Sequence, residues 1–204
     1  MFISFEGIDG SGKSTQARRL AAHLEVSGKQ VVLTREPGGS DGAEDIRRLL
    51  VEGDPGRWSA ETEILLFTAA RRDHLERLIR PALNAGSFVV SDRFADSTRV
   101  YQGATRGELR SVVDSLHDLM IGIEPDLTII IDMDPDVALT RGLARQSGED
   151  RFEEFGAEFQ RALRRAFLDL AATQPKRCAI IDGNQPIDGV TDAIKTLIDR
   201  RGIL

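Results

Sequence analysis

The chain has 204 residues, of which 41% are hydrophobic and 5% aromatic, and its formal net charge at pH 7 is −6. This length is long for a minimal domain and short for two, so we expect one domain over residues 1–204. The acidic balance argues against a broad nucleic-acid surface, because binding a polyanion usually needs a clustered basic face.

The sequence also indicates a cellular compartment. The single cysteine, Cys178, cannot form an intrachain disulfide. The chain begins with a strand pattern, without the charged region, apolar core and cleavage site of a signal peptide, and no apolar run has the length that spans a bilayer. We therefore expect a soluble protein of the reducing cytoplasm, with neither a membrane nor a nucleic acid as partner.

Five short β-rich segments alternate with longer amphipathic ones, which predicts an α/β protein. They lie at residues 2–5, 30–34, 87–91, 127–132 and 178–182 and are nearly continuous in apolar residues, as expected for parallel strands covered on both faces. Three helix starts are predicted: capping boxes at residues 41–44 and 105–108, and Asp134 as the N-cap before Pro135. The pattern predicts a doubly wound, five-stranded parallel sheet, which binds ligands at the carboxyl ends of its strands.

The first predicted strand leads into GIDGSGKS, residues 7–14. Its spacing is that of a Walker A loop, in which backbone N–H groups surround a phosphate, the lysine neutralises outer oxygens and the serine can ligate magnesium. The loop therefore predicts a site for a nucleoside triphosphate. The residues assigned to ATP here are Gly7, Ile8, Asp9, Gly10, Ser11, Gly12, Lys13, Ser14 and Thr15.

Arginines after two further strands indicate a second anion site. Arg35 follows the second strand and Arg93 the third, and guanidinium groups at neighbouring strand ends would converge on one anion. Phe67 and Arg71 lie four apart on the predicted helix 60–83, where a stacking surface beside a forked donor would suit a nucleobase. The sequence has no Asn-Lys-x-Asp segment of a GTPase. We therefore expect a kinase that phosphorylates a small molecule.

Five segments then suggest a family: FEGIDGSGKST, TREPGG, LLFTAAR, DRFADSTRVYQG and EDRFE. In this order, over essentially the whole chain, they resemble the bacterial thymidylate kinases, nucleoside-monophosphate kinases that phosphorylate dTMP. TREPGG together with DRF..S...YQG is far more specific than the Walker A loop. The resemblance implies a three-layer P-loop kinase fold, a mobile lid over about residues 141–153, and a homodimer.

The resemblance also implies roles in binding dTMP. Arg35 and Arg93 would hold its phosphate, and Phe67 would stack on thymine. Arg71 would hydrogen-bond the exocyclic oxygen, and Thr98 would face the ring nitrogen. Tyr101 would lie where a ribose 2′-hydroxyl clashes, and so select deoxyribose. The full set is Asp9, Arg35, Pro37, Phe67, Arg71, Arg93, Ser97, Thr98, Tyr101 and Gln102.

Catalysis is expected to rest on charge neutralisation. An oxygen of the dTMP phosphate, whose second pKa is about 6, would attack without a general base. Lys13, Arg35, Arg93 and magnesium would offset the repulsion between two anions. Ser14 of the loop is an expected metal residue. The resemblance adds Asp92, and it implies that Asp9 would reach the acceptor's 3′-hydroxyl or a water of the metal shell.

The lid is expected to supply a further cation. None of the loop positions 8–11 is basic, so the resemblance makes Arg145 and Arg151 the candidates for a catalytic arginine, while Arg141 would contact ATP. Closure of such a segment would exclude water.

Two other functions stay open at this point. One is a kinase for another monophosphate, such as dUMP or a purine nucleotide, which Tyr101 and the Phe67–Arg71 pair would discriminate. The other is a non-catalytic nucleotide-binding regulator, expected to lack residues such as Lys13 that this chain has. Arg99, two residues before Tyr101, is unusual for the family, and an extra cation near the base could alter selectivity.

Overall fold

Five parallel strands form one sheet in the order β2-β3-β1-β4-β5. The computed structural model describes residues 1–54, 56–105, 108–143 and 156–204, except for the side chains of residues 142 and 143. The strands are β1 (Phe2–Glu6), β2 (Val31–Arg35), β3 (Phe88–Asp92), β4 (Leu127–Asp132) and β5 (Cys178–Asp182). The predicted five-stranded parallel sheet is confirmed.

Helices cover both faces of this sheet. They are α1 (Lys13–Val26), α2 (Asp41–Val51), α3 (Ala60–His74), α4 (Arg80–Asn84), α5 (Ala95–Thr98), α6 (Arg110–Met120), α7 (Pro135–Leu143), α8 (Gly156–Thr173) and α9 (Ile187–Arg200), with π-helical segments at Leu75–Ile79 and Arg99–Ala104. Among the helices of the described ranges, none combines the length and apolar character needed to cross a lipid bilayer.

The continuous apolar strands arise because each face of the sheet has its own core. On β4, Ile129 and Ile131 pack with residues of α1 and α9, whereas Ile130 points to the other face and packs with Leu163 and Phe167 of α8. Successive side chains of a strand alternate between faces, so a strand covered on both sides must be apolar throughout. The result is the three-layer α/β architecture that the sequence predicts.

The strand order determines where a ligand-binding cleft lies. β1 lies between β3 and β4, so the chain continues to one side after β1 and returns to the other side only at β4. In open parallel sheets a ligand binds at such a reversal, outside the carboxyl ends of the strands. The segments that follow β1 and β3 therefore meet at this point.

Several predicted boundaries differ from the structure. β2 and β3 each lie one residue later than predicted, because Arg35 and Asp92 still pair across the two strands. The predicted capping boxes are wrong: α2 has Ser40 as its N-cap, and α6 begins only at Arg110. Asp134 does cap α7, accepting from the N–H of Asp136 at 2.9 Å.

The predicted helix 60–83 contains a π-helical segment, Leu75–Ile79, between α3 and α4. This segment ends two residues before Pro81, which lies in the first turn of α4. Proline lacks an N–H and its ring clashes with the carbonyl four residues earlier, so a regular α-helix cannot continue through it. A locally wider turn keeps the chain helical across that position.

Candidate active site

The loop between β1 and α1 has the backbone of a phosphate-binding loop. Gly12 is the N-cap of α1, with φ 96° in the left-handed region that glycine adopts freely. At Gly10 a Cβ atom would lie 1.9 Å from the carbonyl oxygen of Ala138, so α7 packs directly on the loop. Nζ of Lys13 donates to the carbonyl oxygen of Ile8 at 2.7 Å, across the loop.

Burial makes the charge of Lys13 sensitive to its surroundings. Its side chain is buried, and burial together with the nearby Arg93 lowers its pKa to about 8. Asp9, Asp92 and Glu6 act in the opposite direction. An anion above the loop would favour the charged lysine further.

A cleft of about 720 Å³ opens beside this loop, at the carboxyl ends of β1, β2 and β3. It brings together every residue that sequence analysis assigned to dTMP, with Lys13 and Ser14 at one side. Those lining residues are Asp9, Arg35, Pro37, Phe67, Arg71, Arg93, Ser97, Thr98, Tyr101 and Gln102. The lysine of the loop, the two strand-end arginines and Phe67 therefore line one cavity.

Arg93 is the centre of a hydrogen-bonded group at the bottom of the cleft. Its Nη2 donates to Oδ1 of Asp9 at 2.5 Å and to the hydroxyl of Tyr101 at 3.2 Å, while that hydroxyl donates to Oδ2 of Asp9 at 2.7 Å. Its backbone has φ 74°, which is strained for a bulky side chain. Such strain typically occurs where a functional side chain must be aimed.

Arg71 is fixed by buried partners. Its Nε donates to Oε2 of Glu36 at 2.7 Å, and its Nη2 donates to Oγ1 of Thr98 at 3.0 Å. His74 Nδ1 lies 3.0 Å from the other oxygen of Glu36, and its Nε2 lies 2.8 Å from Oγ1 of Thr34. Strand β2, helix α3 and helix α5 are thus tied together around one carboxylate.

Arg35 occupies the other strand end. Its register partner is Asp92, so Arg35 and Arg93 follow neighbouring strands, as predicted. Its Nη2 contacts both carboxylate oxygens of Glu44 at 3.1 Å, and its side chain is 55% exposed. Arg35 is therefore less firmly held than Arg93 and would have to turn towards a bound phosphate.

Asp92, at the end of β3, is a further acidic residue of the cleft. Oδ1 of Asp92 is buried and has no hydrogen-bond partner within the described parts of the chain. An orphaned carboxylate oxygen in the cleft that Ser14 also lines suits a hydrated cation. No set of three or more His, Cys, Asp or Glu side chains in the described ranges is arranged as a metal cage. Magnesium typically needs only one or two protein ligands when phosphates supply the rest.

Glu6, at the end of β1, is a supporting residue that sequence reasoning missed. It accepts hydrogen bonds from the backbone N–H of Phe94 at 2.7 Å and from the hydroxyl of Ser97 at 2.6 Å. Burial, reinforced by Asp96, raises its pKa to about 8. Its place directly before Gly7 was the signal that could have indicated it.

Arg99 lies outside the cleft. It is buried in an ionic network with Asp96 (2.9 Å), Asp114 (2.8 Å) and Glu124 (2.5 Å), and Arg177 also binds Asp96. Arg99 is absent from the cleft lining. The expectation of an extra cation near the base is therefore wrong, since three carboxylates direct this side chain towards α6.

The predicted lid begins at the end of α7. Arg141 is exposed there and its Nη1 lies 3.4 Å from the sulfur of Met133. Arg145 and Arg151 lie outside the described residues, so their predicted role is untested.

Comparison with known proteins identifies the family of this chain. A family model described as thymidylate kinase matches residues 5–194. The thymidylate kinase of Dinoroseobacter shibae is 77% identical over 184 residues, covering 90% of this chain and 89% of that protein. That of Caulobacter vibrioides is 51% identical over 201 residues, covering 98% and 96%. The chain belongs to the thymidylate kinase family.

A solved structure agrees. The crystal structure of thymidylate kinase from Ehrlichia chaffeensis has a TM-score of 0.79 and 38% sequence identity, with 98% of both chains covered. The fold of this chain is therefore that of the thymidylate kinase family. As a member, the chain is a phosphotransferase that converts dTMP to dTDP with ATP.

Proposed function

We propose that this chain transfers the γ-phosphate of ATP, held by the phosphate loop, to dTMP, whose phosphate is held by Arg35 and Arg93. The observation that carries the proposal is the shared cleft, in which the phosphate loop and the Arg35–Arg93 strand ends face one cavity. Fixed cations at both ends would bring two anions together and stabilise charge that spreads in the transition state.

Arg93 would hold the acceptor phosphate. Its guanidinium is oriented by Asp9 and Tyr101, so it would enter the reaction without reorganising. Arg35 would complete the clamp after leaving Glu44. Because the acceptor phosphate is largely ionised at neutral pH, its oxygen attacks without a protein base.

Phe67 and Arg71 would bind the base, and Tyr101 would lie under the sugar. Arg71 carries only donors, which complement an exocyclic oxygen. The Tyr101 ring is buried, and packs edge-on against Phe159 and Phe167 at centroid distances of 6.2 and 6.3 Å. A ring held from behind cannot move aside for an additional hydroxyl.

Magnesium would be held by Ser14 and Asp92 together with phosphate oxygens. The orphaned Oδ1 of Asp92 supports this assignment. When bound, the ion would neutralise phosphate charge and orient the donor. Arg141, Arg145 and Arg151 would act from a lid over about residues 141–153, with Arg145 or Arg151 at the transferring phosphate.

A homodimer fits the exposed apolar surface. Leu65 of α3 is 58% exposed and Leu119 of α6 is 75% exposed, and these helices are joined where Nη1 of Arg72 donates to the carbonyl oxygen of Met120 at 2.6 Å. Val112 and Met120, also on α6, are 42% and 44% exposed. An apolar patch across two helices is typical of a protein interface. We further propose a single domain and a cytoplasmic location, where buried Cys178 stays reduced.

The test is ADP formation by the purified protein with ATP and Mg²⁺ and a panel of acceptors: dTMP, dUMP, UMP, dCMP, dGMP and dAMP. We expect the highest kcat/KM with dTMP, lower with dUMP and lowest with UMP. Lys13→Ala should abolish transfer while dTMP still binds, and Arg93→Ala should weaken dTMP binding. ADP release that needs no acceptor, or an equal rate with all six, would contradict the proposal.

A further inference from the structure

Gln102 and Glu63 form a buried side-chain pair next to the part of the cleft that is proposed to bind the nucleobase. Nε2 of Gln102 donates to Oε2 of Glu63 at 3.0 Å. Gln102 is 1% exposed and Glu63 is fully buried. Gln102 lines the cleft together with Arg71 and Thr98, whereas Glu63 lies behind it, in α3.

This pairing fixes which end of the amide is turned to the cleft. A glutamine amide has a donor end and an acceptor end of nearly the same shape, so its orientation is set by its partners. A carboxylate is an acceptor and therefore holds the amide nitrogen. The carbonyl oxygen, Oε1, is then the end left for a molecule in the cleft.

A fixed acceptor distinguishes two pyrimidines. Thymine has a donor, N3–H, beside the exocyclic O4, whereas cytosine has an acceptor, N3, beside a 4-amino donor. An acceptor from Gln102 and donors from Arg71 match thymine and oppose cytosine at both positions. Unmatched polar groups in a buried site are costly, and sites of this kind discriminate strongly.

Thr98 alone cannot provide this discrimination. Its hydroxyl accepts from Nη2 of Arg71 at 3.0 Å, but a hydroxyl can still either donate or accept towards a ring nitrogen. It would therefore tolerate N3–H and N3 equally. An amide whose orientation is fixed does not have this freedom.

We propose that Glu63 is a specificity-determining positioning residue, which orients the Gln102 amide so that its oxygen faces the base and the site selects thymine over cytosine. The inference rests on the proposed function, since it assigns the base region of the same cleft. Glu63 itself touches no substrate and acts through Gln102.

The experiment compares Glu63→Gln with a matched control, Glu61→Gln. Residue 61 is an exposed glutamate two positions earlier on the same helix. Glutamine at position 63 can either donate or accept, so the Gln102 amide becomes free to turn. For Glu63→Gln we expect the ratio of kcat/KM for dTMP to that for dCMP to fall about tenfold. KM for dTMP should rise, and KM for ATP should stay unchanged.

A reciprocal variant supplies the rescue. In Glu63→Gln/Gln102→Glu, the new glutamine can donate to one oxygen of the new carboxylate and leave the other facing the base as an acceptor. We expect the dTMP-to-dCMP ratio to recover towards that of the wild type. If Glu63→Gln does not fold, Gln102→Met tests the same point, because it removes the acceptor and should lower the ratio similarly.

The outcomes separate this inference from the function on which it rests. A wild-type protein inactive on dTMP would overturn the proposed function. With an active wild type, an unchanged ratio in Glu63→Gln or in Gln102→Met would overturn the role of the pair. So would a Glu63→Gln variant that only melts earlier or loses kcat equally on every acceptor, since those effects belong to a merely structural residue.

Discussion

Nε of Arg71 lies 2.7 Å from Oε2 of Glu36, and both side chains are at most 4% exposed. The arginine predicted to bind the base is thus held by a buried ion pair, and its Nη2 donates to Oγ1 of Thr98 at 3.0 Å. A guanidinium that is already oriented loses little conformational freedom when it binds a substrate oxygen. We therefore expect Glu36 to contribute to dTMP binding by holding Arg71 in place.

Replacing Glu36 by glutamine tests this relationship. We expect Glu36→Gln to lower the free energy of unfolding by about 3–5 kcal/mol, because it leaves a buried guanidinium without its charge partner. KM for dTMP should rise about tenfold while KM for ATP is unchanged. Steady-state kinetics and denaturant unfolding measure the two effects. Glu76→Gln, in an exposed pair with Arg72, is the control and should change stability by less than about 1 kcal/mol.

The same carboxylate predicts a pH dependence. Burial raises the pKa of Glu36, but the Arg71 guanidinium and His74 outweigh it and hold that pKa below its ordinary value of 4.5. A lowered pKa gives stability that is present above 4.5 and lost as pH falls through the folded-state value. The difference in unfolding free energy between wild type and Glu36→Gln should therefore shrink below pH 4.5. A constant difference from pH 7 to pH 3 would contradict this assignment.

Lys13 predicts an alkaline limit to ATP binding. Its pKa in the free protein is lowered to about 8 by burial and Arg93, so above pH 8 binding must first restore its proton. We expect Kd for ATP to increase roughly tenfold between pH 7.5 and pH 9.5. Lys13→Met should bind ATP more weakly and with no such dependence. Equal slopes in the two proteins, measured by equilibrium titration, would show that another group titrates.

Much of the architecture was predictable because it depends on local patterns. The apolar strand segments predicted the parallel sheet, and the spacing of the glycines predicted the phosphate loop before α1. The sequence predicts where each strand ends, and the carboxyl ends of parallel strands lie at one edge of the sheet. The proximity of Arg35 and Arg93 was therefore also predictable. The structure differs where a choice depends on three-dimensional partners, as at the two supposed capping boxes.

Residues that hold a predicted binding residue in place were harder to find than the binding residues themselves. Glu36 and Glu63 lie in segments where a charged residue is typically exposed, and only tertiary packing buries them beside Arg71 and Gln102. Arg99 shows the reverse error. Its position before Tyr101 indicated the cleft, but two of its carboxylate partners come from residues 114 and 124, which no local pattern brings to it.

The Arg99 network should therefore affect stability rather than selectivity. We expect Arg99→Met to lower the free energy of unfolding by about 1.5–3 kcal/mol, because the buried Asp96 loses one of its two cations and keeps only Arg177. The ratio of kcat/KM for dTMP to that for dUMP, measured well below the melting temperature, should stay unchanged. Arg110→Met removes only the exposed partner of Asp114 and should cost less than about 1 kcal/mol. A changed dTMP-to-dUMP ratio in Arg99→Met would restore a role near the base.

Tyr101 combines two functions that substitution can separate. Its ring would exclude a 2′-hydroxyl, and its own hydroxyl joins Asp9 to Arg93. dUMP and UMP differ only in the 2′-hydroxyl, so the ratio of their kcat/KM values isolates the ring. Tyr101→Phe keeps the ring and should leave this ratio unchanged, while kcat for dTMP falls about tenfold because the Asp9–Arg93 unit loses a hydrogen bond.

Tyr101→Ala should instead bring the dUMP-to-UMP ratio towards one, because the space for the extra hydroxyl opens. The two variants are compared at equal folded fraction, measured by thermal unfolding, since the ring is also buried against Phe159 and Phe167. A dUMP-to-UMP ratio that stays at the wild-type value in Tyr101→Ala would assign the selection of deoxyribose to another residue. A ratio that changes equally in Tyr101→Phe would assign it to the hydroxyl and not to the ring.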